Sequence, residues 1–378
     1  LNPGMEYDFD GERRTYPDIK LVYWCGGNPF HHHQDLNRLL DGWRRLDTVI
    51  VNEPWWTPTA KLADIVLPAT TTLERNDVGA SSRDRFLVAM KQIVPPQHAS
   101  RNDYDIFSGL AGRLGIKDAF TEGRDEDAWL RHLYDQARDG AGALANRMPD
   151  FDAFWEQGLL ELDAPEKPHV VYESFRADPT ANPLPTPSGK FEICCAEIAG
   201  FGYDDCPEHP VWQEPAEWLG GETAKDWPLH LISNQPAHKL HSQLDFVGPS
   251  LAAKLQGREP AFLAPADADA RGIKDGDLVR LYNDRGETLA IAVVSDHVRQ
   301  GVVQLPTGAW FDPSDWAKAG TLERHGNPNV LTLDKGTSKL GQGPISHTTL
   351  VDVAKVVETA EPSDPFNLPD VVSRPAAE

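Results

Sequence analysis

The sequence predicts two folds in one chain: an α/β region with a parallel sheet, followed by a mostly β region that closes into a barrel. Two observations predict this order. Apolar runs at residues 19–24 and 48–51 flank a helical pattern at residues 34–46, which is the strand, helix, strand order of a βαβ unit. From residue 229 onward, short apolar runs alternate with turns, one small helix and one hairpin, as in small closed barrels.

Each element of the α/β region has a local signal. Residues 19–24 and 48–51 are apolar runs of strand length, and residues 65–68 predict a third strand. The helix at residues 34–46 has its apolar residues on one face, namely Leu36, Leu39, Leu40, Trp43 and Leu46. Aromatic and aliphatic residues at core spacing predict further helices at residues 104–114, 126–138 and 151–159.

The carboxyl ends of the three strands are candidate ligand positions, because open parallel sheets bind ligands at that edge. They are marked by Gly26-Gly27-Asn28, Asn52-Glu53 and Pro68-Ala69-Thr70. Paired glycines allow a close backbone approach, and an acidic residue in the second loop can bind ribose hydroxyls. These arguments make Glu53 a candidate for ribose binding, whereas Gly26-Gly27-Asn28 taken alone favours a tight turn. The full three-glycine dinucleotide fingerprint is absent, so a tight turn is the competing interpretation.

The same region contains a charged motif and a run of three histidines. Glu74-Arg75-Asn76-Asp77 follows the third strand, a position that favours a ligand-facing role for this segment over an exposed charged turn. The histidine tract, His31-His32-His33, invites a metal, but three adjacent residues of a regular element cannot all face one ion. A loop end or helix cap with one ring facing a ligand is the favoured interpretation.

The barrel region is predicted from five short strands and one brief helix. The strands are at residues 229–232, 261–263, 278–282, 288–294 and 301–306, and the helix is at residues 267–271. Residues 283–286 form a hairpin turn. The stretch before the barrel, residues 165–228, is rich in proline and tryptophan, includes a strand predicted at residues 190–193, and marks a domain boundary.

Two polar loops belong to this barrel. The first, residues 233–243, follows the strand at residues 229–232 and holds two imidazoles, three side-chain amides and two hydroxyls. Such a loop suits a large ligand with many hydrogen-bonding groups, and a solvated connector is the competing interpretation. The second cluster, at residues 325–332, 337–338 and 341–344, again places glycines beside asparagine and glutamine.

Composition excludes several classes of partner. The formal net charge of -22 argues against nucleic acid and anionic membrane surfaces, which both need a basic face. No apolar run reaches the ~18 residues of a transmembrane helix. Four cysteines form neither a disulfide framework nor a zinc ligand set. The chain begins at Leu1, and its first residues do not have the charged and then apolar pattern of a targeting segment. We expect it to be a piece of a longer polypeptide.

Seven ordered motifs, which cover nearly the whole chain, resemble the C-terminal half of the bis-molybdopterin-guanine-dinucleotide oxidoreductases. The similar branch is that of dimethyl sulfoxide, trimethylamine N-oxide and biotin sulfoxide reductases. The motifs are residues 26–30 with 32–34, 53–61, 63–68, 74–77, 188–190, 240–243 within the first polar loop, and 327–332 through 341–343. Residues 77–83 look most like the biotin sulfoxide reductase type.

This resemblance implies a domain organisation. Residues 1–164 would be the nucleotide-binding portion of an α/β domain, with an incomplete parallel sheet whose missing strands come from an absent N-terminal half. Residues 165–228 would be a wrapping segment, residues 229–360 a six-stranded double-psi β-barrel that binds the molybdopterin dinucleotide, and residues 361–378 a C-terminal tail.

The resemblance also implies a bis(molybdopterin guanine dinucleotide) cofactor with molybdenum. Four residues would serve its nucleotide ends: Gly27, Asn28, Glu53 and Asp77. Seven would face its pterins and diphosphates: Gln235, His238, His241, Ser242, Gln243, Asn329 and Gln342. In this family the serine that ligates molybdenum lies in the N-terminal half. We therefore expect neither a metal ligand nor a catalytic residue in this chain.

The implied reaction is oxygen-atom transfer from an S-oxide or N-oxide. The implied partners are that substrate, the N-terminal half of the same enzyme and an electron donor of unspecified kind. We expect the chain to be inactive alone. Three alternatives stay open: a formate dehydrogenase or nitrate reductase type, a non-catalytic module that binds a nucleotide or a partner, and a nicotinamide dehydrogenase, which the missing glycine fingerprint disfavours.

Overall fold

The computed structural model describes residues 1–81, 84–164, 167–357, 360 and 362–370. The chain forms two compact units. Unit 1 comprises Leu1–Val51, Trp56–Ile65 and Ile193–Glu378, and unit 2 comprises Asn52–Trp55 and Val66–Glu192. The predicted boundaries at residues 164, 228 and 360 stay predictions. Parts of four predicted segments lie outside the described residues: Ser82 and Arg83, Pro165 and Glu166, residues 358–359 of the barrel, and residues 361 and 371–378 of the tail.

The described residues contain these strands and helices. The strands are β1 (Glu6–Phe9), β2 (Glu12–Thr15), β3 (Leu21–Cys25), β4 (Thr48–Asn52), β5 (Ile65–Leu67), β6 (Asp77–Ala80), β7 (Phe86–Met90), β8 (Leu159–Glu161), β9 (Leu229–Ile232), β10 (Pro260–Leu263), β11 (Leu278–Tyr282), β12 (Glu287–Val294), β13 (Val302–Gln304) and β14 (Thr349–Lys355). The α-helices are α1 (Pro29–His32), α2 (Leu36–Trp43), α3 (Pro58–Lys61), α4 (Asp103–Arg113), α5 (Lys117–Thr121), α6 (Glu126–Gly140), α7 (Phe151–Gln157), α8 (Glu173–Ala177), α9 (Ala196–Phe201), α10 (Gly248–Ala253) and α11 (Pro265–Asp269). Among the described residues, no helix has the length and apolar character needed to cross a bilayer.

The predicted α/β unit is present. Strands β3, β4 and β5 form a three-stranded parallel sheet in that order. Helix α2 joins β3 to β4, and the Asp35 side chain caps its start by accepting a hydrogen bond from Arg38 N at 3.1 Å. The apolar face of α2 is buried, with Leu36 and Leu40 at most 1% exposed.

The barrel is closed and six-stranded, with the order β10-β12-β11-β14-β9-β13. Two of its pairs are parallel, β10 with β12 and β13 with β9, and the other four are antiparallel. The order interleaves the chain, since β13 lies between β9 and β10, and β12 lies between β10 and β11. This arrangement confirms the predicted fold class, an α/β sheet followed by a double-psi barrel.

One apolar core holds unit 1 together. It combines barrel residues such as Leu231 and Leu281 with Phe30, Leu40 and Val51 of the α/β segment. Each such side chain contributes about 1.5–3 kcal/mol when it leaves water. The first βαβ segment is therefore packed against the barrel, and the loop that follows β3 is held near the barrel loops.

Unit 2 has its own smaller core. Strands β6, β7 and β8 form an antiparallel sheet, and Leu130, Tyr134 and Phe154 of helices α6 and α7 pack in the same cluster. Asp125 caps the start of helix α6, since its side chain accepts a hydrogen bond from Ala128 N at 2.9 Å.

Three local expectations were wrong or incomplete. Residues 190–193 form no strand; Phe191 and Ile193 are exposed, so this apolar run has neither a core nor a paired strand to order it. Helix α7 ends at Gln157 rather than 159, because Gly158 turns the chain with a φ of +84° and Leu159 begins β8. The barrel strand β14 and the hairpin of β1 and β2 were not located from sequence.

Candidate functional site

The polar loop after β9 divides its side chains between solvent and interior. Gln235, His241 and Gln243 are exposed, whereas Lys239 is only 7% exposed. The loop also bonds to itself, since Gln235 Nε2 donates to the carbonyl oxygen of Lys239 at 2.5 Å. The structure thus turns part of this predicted ligand loop inward.

Lys239 anchors the loop in a buried charge square with Lys254, Asp245 and Glu259. Lys239 Nζ lies 2.7 Å from Asp245 Oδ1 and 2.5 Å from Glu259 Oε1. Lys254 Nζ lies 2.9 and 2.6 Å from the same two oxygens, and the four side chains are at most 2% exposed. Two cations therefore balance two carboxylates in an interior where one uncompensated charge costs several kcal/mol.

Two members of the charge square, Asp245 and Lys239, are held in their charged forms by their partners. Burial alone would raise the pKa of Asp245, but the hydrogen bond from His325 and the charges of Lys254 and Lys239 hold that pKa well below its usual range. Burial alone would lower the pKa of Lys239, but the carboxylates of Asp245 and Glu259 leave it raised. The ion pair of Lys239 with Asp245 is therefore favoured by the direction of both pKa shifts.

A close backbone approach holds the far end of the loop. A Cβ atom on Gly308 would lie 1.9 Å from the carbonyl oxygen of His241, and Gly308 has a φ of +98°, so only glycine suits this position. Trp310 Nε1 donates to the carbonyl oxygen of Ser242 at 3.0 Å. The backbone at residues 241–242 is thus fixed from the barrel while the His241 ring remains exposed.

His31 is the buried member of the histidine tract, and it contacts two predicted site residues. Its Nδ1 lies 2.5 Å from Ser242 Oγ, and its carbonyl oxygen accepts a hydrogen bond from Asn329 Nδ2 at 3.0 Å. Burial lowers the pKa of His31 to about 3, so the ring is neutral. His31 was not among the predicted site residues, and the sequence signal for it was its place in the histidine tract directly after the apolar Phe30.

The rest of the tract lies at the surface. His32 and His33 are exposed, with ring centroids 4.9 Å apart. In the described part of the chain, no group of three or more histidine, cysteine or acidic side chains is arranged to hold a metal ion.

The loop after β3 presents open backbone. Gly26 and Gly27 have φ values of +71° and +69°, and a Cβ on Gly26 would meet nothing within 4 Å. The next residue, Asn28, is 7% exposed, and its Oδ1 accepts a hydrogen bond from the Thr59 hydroxyl. The loop therefore combines a fixed amide with empty space above Gly26, whereas a Cβ on Gly27 would lie 3.7 Å from the His32 ring.

A buried carboxylate organises the second polar cluster. Glu323 is 0% exposed and accepts hydrogen bonds from the Thr288 hydroxyl and from four backbone N–H groups, those of Asp312, His325, Gly326 and Asn327. Asn327 Nδ2 in turn donates to the carbonyl oxygens of Ala309 at 2.9 Å and Phe30 at 3.3 Å. Asn329, only 4% exposed, is held within this network.

Two further predicted residues of unit 1 lie closer to the surface. Gln342 is exposed and has a φ of +52°. His238 is half-buried, and its Nε2 is a buried atom with no hydrogen-bond partner among the described residues.

Glu53 and Asp77 lie in unit 2 and already contact protein groups. Glu53 Oε1 accepts a hydrogen bond from Trp55 N at 3.3 Å. Asp77, the first residue of β6, lies 3.2 Å from Arg75 Nη2 through Oδ2, and its Oδ1 accepts from Val78 N at 2.8 Å.

Unit 2 also contains a cavity at the third of the strand ends marked in the sequence. It has a volume of about 330 Å³ and lies at the carboxyl end of β5, where Leu67 and Pro68 form part of its wall. Ile106 and Leu110 add apolar surface, and Arg101, Asp105 and Arg113 add charged groups. Apolar walls with a few polar groups at a strand end are typical of a base-binding pocket.

Two family models match the chain. The molybdopterin oxidoreductase family matches residues 11–113, and the molydopterin dinucleotide binding domain matches residues 229–350. The chain is 53% identical to biotin sulfoxide reductase of Cereibacter sphaeroides, over 93% of the chain and 47% of that protein. It is 49% identical to dimethyl sulfoxide/trimethylamine N-oxide reductase of Rhodobacter capsulatus, over 94% and 43%.

A third relative and one solved structure complete the comparison. Trimethylamine-N-oxide reductase of Haemophilus influenzae is 46% identical, over 99% of the chain and 46% of that protein. Acetylene hydratase from Pelobacter acetylenicus superimposes with a TM-score of 0.69 at 21% identity, covering 90% of the chain and 45% of that structure, which shows a shared fold. The chain spans about half the length of the curated relatives it matches.

The chain belongs to the molybdopterin oxidoreductase family. Its relatives within that family are the biotin sulfoxide, dimethyl sulfoxide and trimethylamine N-oxide reductases, which confirms the resemblance predicted from its motifs. Membership indicates molybdopterin guanine dinucleotide and molybdenum as the cofactor.

The residues of unit 1 fit an organic cofactor of this kind. Asn28 Nδ2 and His238 Nε2 are buried nitrogen atoms with no hydrogen-bond partner among the described residues, and buried polar atoms are normally paired. Exposed amide and imidazole groups on Gln235, His241 and Gln243 can bond to pterin heteroatoms and phosphate oxygens. The space above Gly26 admits a ligand close to the backbone.

Proposed function

We propose that this chain is the part of an S-oxide or N-oxide reductase that binds the bis(molybdopterin guanine dinucleotide) cofactor. One observation supports this above the others: the loop at residues 233–243 is anchored by the buried charge square and exposes amide and imidazole groups of Gln235, His241 and Gln243. Such a loop has its shape before a ligand arrives, which reduces the entropy lost on binding.

The residues divide into two roles. Gln235, His238, His241 and Gln243, with Gln342, bind the pterins and diphosphates. Ser242 and Asn329 act mainly by holding the loops, because their side chains already bond to His31.

The nucleotide ends of the cofactor bind at the strand-end loops. Gly27 and Asn28 offer open backbone and a free amide nitrogen, and Glu53 and Asp77 offer carboxylates. The cavity at the end of β5 suits a purine, because apolar walls bury the ring while the Asp105 carboxylate accepts from its N–H groups.

When bound, the molybdenum cofactor supplies two-electron oxygen-atom transfer. The residues of this chain bind and orient that group and exclude water, and none of them is proposed as a metal ligand or as a catalytic residue. The substrate-facing residues come from an N-terminal half of the same enzyme, and electrons come from a separate donor.

The names of the relatives support an oxide as the substrate. They are biotin sulfoxide, dimethyl sulfoxide and trimethylamine N-oxide reductases at 44–53% identity, which favours these oxides over formate or nitrate. The biotin sulfoxide type is the finer proposal, and the first of these relatives supports it.

The test uses the complete enzyme with His241→Ala or Gln243→Ala. We expect each variant to lose several-fold in its molybdenum-to-protein ratio while its resistance to urea stays unchanged, because both side chains are exposed and make no hydrogen bond within the described chain. Gln213→Ala, an exposed glutamine outside the loop, is the matched control. Unchanged molybdenum content and unchanged reduction of all three oxides in both variants would contradict the proposal.

A further inference from the structure

We infer that His31 is a positioning residue: it ties the loop of residues 26–33 to the barrel loops at Ser242 and Asn329, and so sets the spacing of the cofactor-binding groups. The inference rests on the proposed function and adds to it a residue without cofactor contact. It stands on one geometric observation. A single buried residue joins segments that are 211 and 298 positions away along the chain.

The contacts of His31 form a closed set. The ring bonds to Ser242 Oγ through Nδ1 at 2.5 Å and stacks on Trp310, with centroids 5.3 Å apart and planes at 24°. Trp310 Nε1 then donates to the carbonyl oxygen of Ser242 at 3.0 Å. His31, Ser242 and Trp310 therefore hold one another, and Ser242 is fixed through both its side chain and its backbone.

The third loop joins the same set through the main chain. Asn329 Nδ2 donates to the carbonyl oxygen of His31 at 3.0 Å, and Asn327 Nδ2 donates to that of Phe30 at 3.3 Å. Asn327 Oδ1 accepts from Asn329 N at 2.9 Å, so the two amides act together. The consecutive carbonyl groups of Phe30 and His31 thus both accept hydrogen bonds from asparagine side chains.

The direction of the bond from the ring follows from burial. Among the described residues His31 Nε2 is a buried atom without a partner, whereas Nδ1 faces a hydroxyl. A proton on Nε2 would leave a buried donor unpaired, which native interiors avoid more strongly than an unpaired acceptor. The neutral ring therefore donates through Nδ1 to Ser242 Oγ, and a replacement must carry a donor at that place.

The proposed cofactor groups lie on either side of these contacts. His241 and Gln243 flank Ser242, and Asn28 precedes His31 by three residues. Small displacements of these loops would move several donors at once. Because positioned groups lose their benefit when displaced by about 1 Å, we expect a loss of cofactor retention from a residue that does not touch the cofactor.

Two variants separate the hydrogen bond from the volume of the ring. His31→Phe keeps an aromatic ring for stacking on Trp310 but removes the donor. His31→Asn loses the ring but keeps an amide N–H at the place of Nδ1. His33→Phe, an exposed ring of the same tract, is the matched control.

The measurement is hydrogen–deuterium exchange on the complete enzyme purified without cofactor, at residues 28–33, 240–243 and 327–332. We expect His31→Phe to accelerate exchange about tenfold in all three segments, as local opening becomes easier, and His31→Asn to restore most of the protection. The control should match the wild type. In the enzyme made with cofactor, the molybdenum-to-protein ratio should fall several-fold in His31→Phe and recover in His31→Asn.

The exchange and molybdenum measurements test the role of His31 and the proposed function separately. Unchanged exchange in His31→Phe, with a wild type that retains molybdenum, overturns the inference and leaves the proposed function standing. A wild type without molybdenum contradicts the proposed function, while the exchange data still decide the role of His31. If His31→Phe fails to fold, Ser242→Ala removes only the partner of the ring. Faster exchange at residues 28–33 and 240–243 then supports the inference, and unchanged exchange overturns it.

Discussion

A buried charge cluster in unit 1 contrasts with an exposed ion pair in unit 2. In unit 1 the charge square of Lys239, Lys254, Asp245 and Glu259 is at most 2% exposed and fixes a functional loop. In unit 2 the pair of Arg85 and Glu161, 2.5 Å apart, has side chains 46% and 52% exposed. Water screens such surface pairs, whereas a buried pair cannot lose one member without leaving an uncompensated charge. Buried charge thus specifies a loop conformation, and surface charge adds little.

The largest expected effect comes from breaking the charge square. Lys254→Met removes one cation and leaves Asp245 and Glu259 sharing Lys239, so the chain should lose about 3–5 kcal/mol in its free energy of unfolding. Urea denaturation measures the change. Adding Glu259→Gln restores charge balance and should recover part of the loss. Lys225→Met, whose side chain is 71% exposed in the same unit, is the control, and an equal loss there would remove the distinction between buried and exposed ion pairs.

A second effect concerns pH. Burial lowers the pKa of His31 to about 3; the Asp245 carboxylate opposes this shift, and His32, Lys239 and His325 add to it. An unfolded histidine has a pKa of about 6.5. Between these values the unfolded chain binds a proton that the native chain does not, so stability falls as pH drops from about 6.5 toward 3.

At pH 4.5 this contribution amounts to about 2–3 kcal/mol relative to pH 7. His31→Asn should remove it, giving a shallower loss of unfolding free energy between pH 7 and 4.5 in urea titrations. His98→Asn replaces an exposed histidine and serves as the control. If the free energy of unfolding falls equally with pH in the wild type and in His31→Asn, the buried ring does not cause the loss of stability.

A smaller effect is expected from substituting glycines, and it distinguishes a glycine beside a proposed ligand site, Gly26, from a glycine in an ordinary turn, Gly115. Gly26 and Gly115 have φ values of +71° and +74°, and a Cβ at either would meet nothing within 4 Å. Alanine at each position should cost about 1 kcal/mol in stability, because only the backbone strain differs from glycine. Molybdenum retention in the complete enzyme should fall only with Gly26→Ala. Equal retention in both variants would place the cofactor away from the loop after β3.

The smallest effect is expected at the surface of unit 2. Arg85→Met breaks the exposed pair with Glu161 and should change the free energy of unfolding by less than about 1 kcal/mol, since the pair is screened by water. The measurement is again urea denaturation, at low and at 0.5 M salt. A loss comparable with that of Lys254→Met would mean that exposure does not distinguish the two units.

Much of the architecture was predictable from local sequence. The strand, helix, strand order of β3, α2 and β4, five of the barrel strands and both polar loops were visible as apolar runs, helical spacing and clusters of hydrogen-bonding residues. These features depend on neighbours in sequence, and for that reason they were found. Strand β14 escaped because its identity as a strand depends on pairing with β11 and β9, which are distant in the chain.

The polar loop at residues 233–243 shows the division most clearly. Its composition alone indicated a ligand-binding loop, because too many donors and acceptors follow one strand for a simple connector. Which of them face inward was decided by tertiary structure. Lys239 points inward because it pairs with the buried carboxylates of Asp245 and Glu259. Ser242 points inward because its hydroxyl bonds to the His31 ring, which is distant in the sequence. A sequence states the chemistry of each side chain; only the packed fold supplies the partner that determines where its charge or hydroxyl is stabilised.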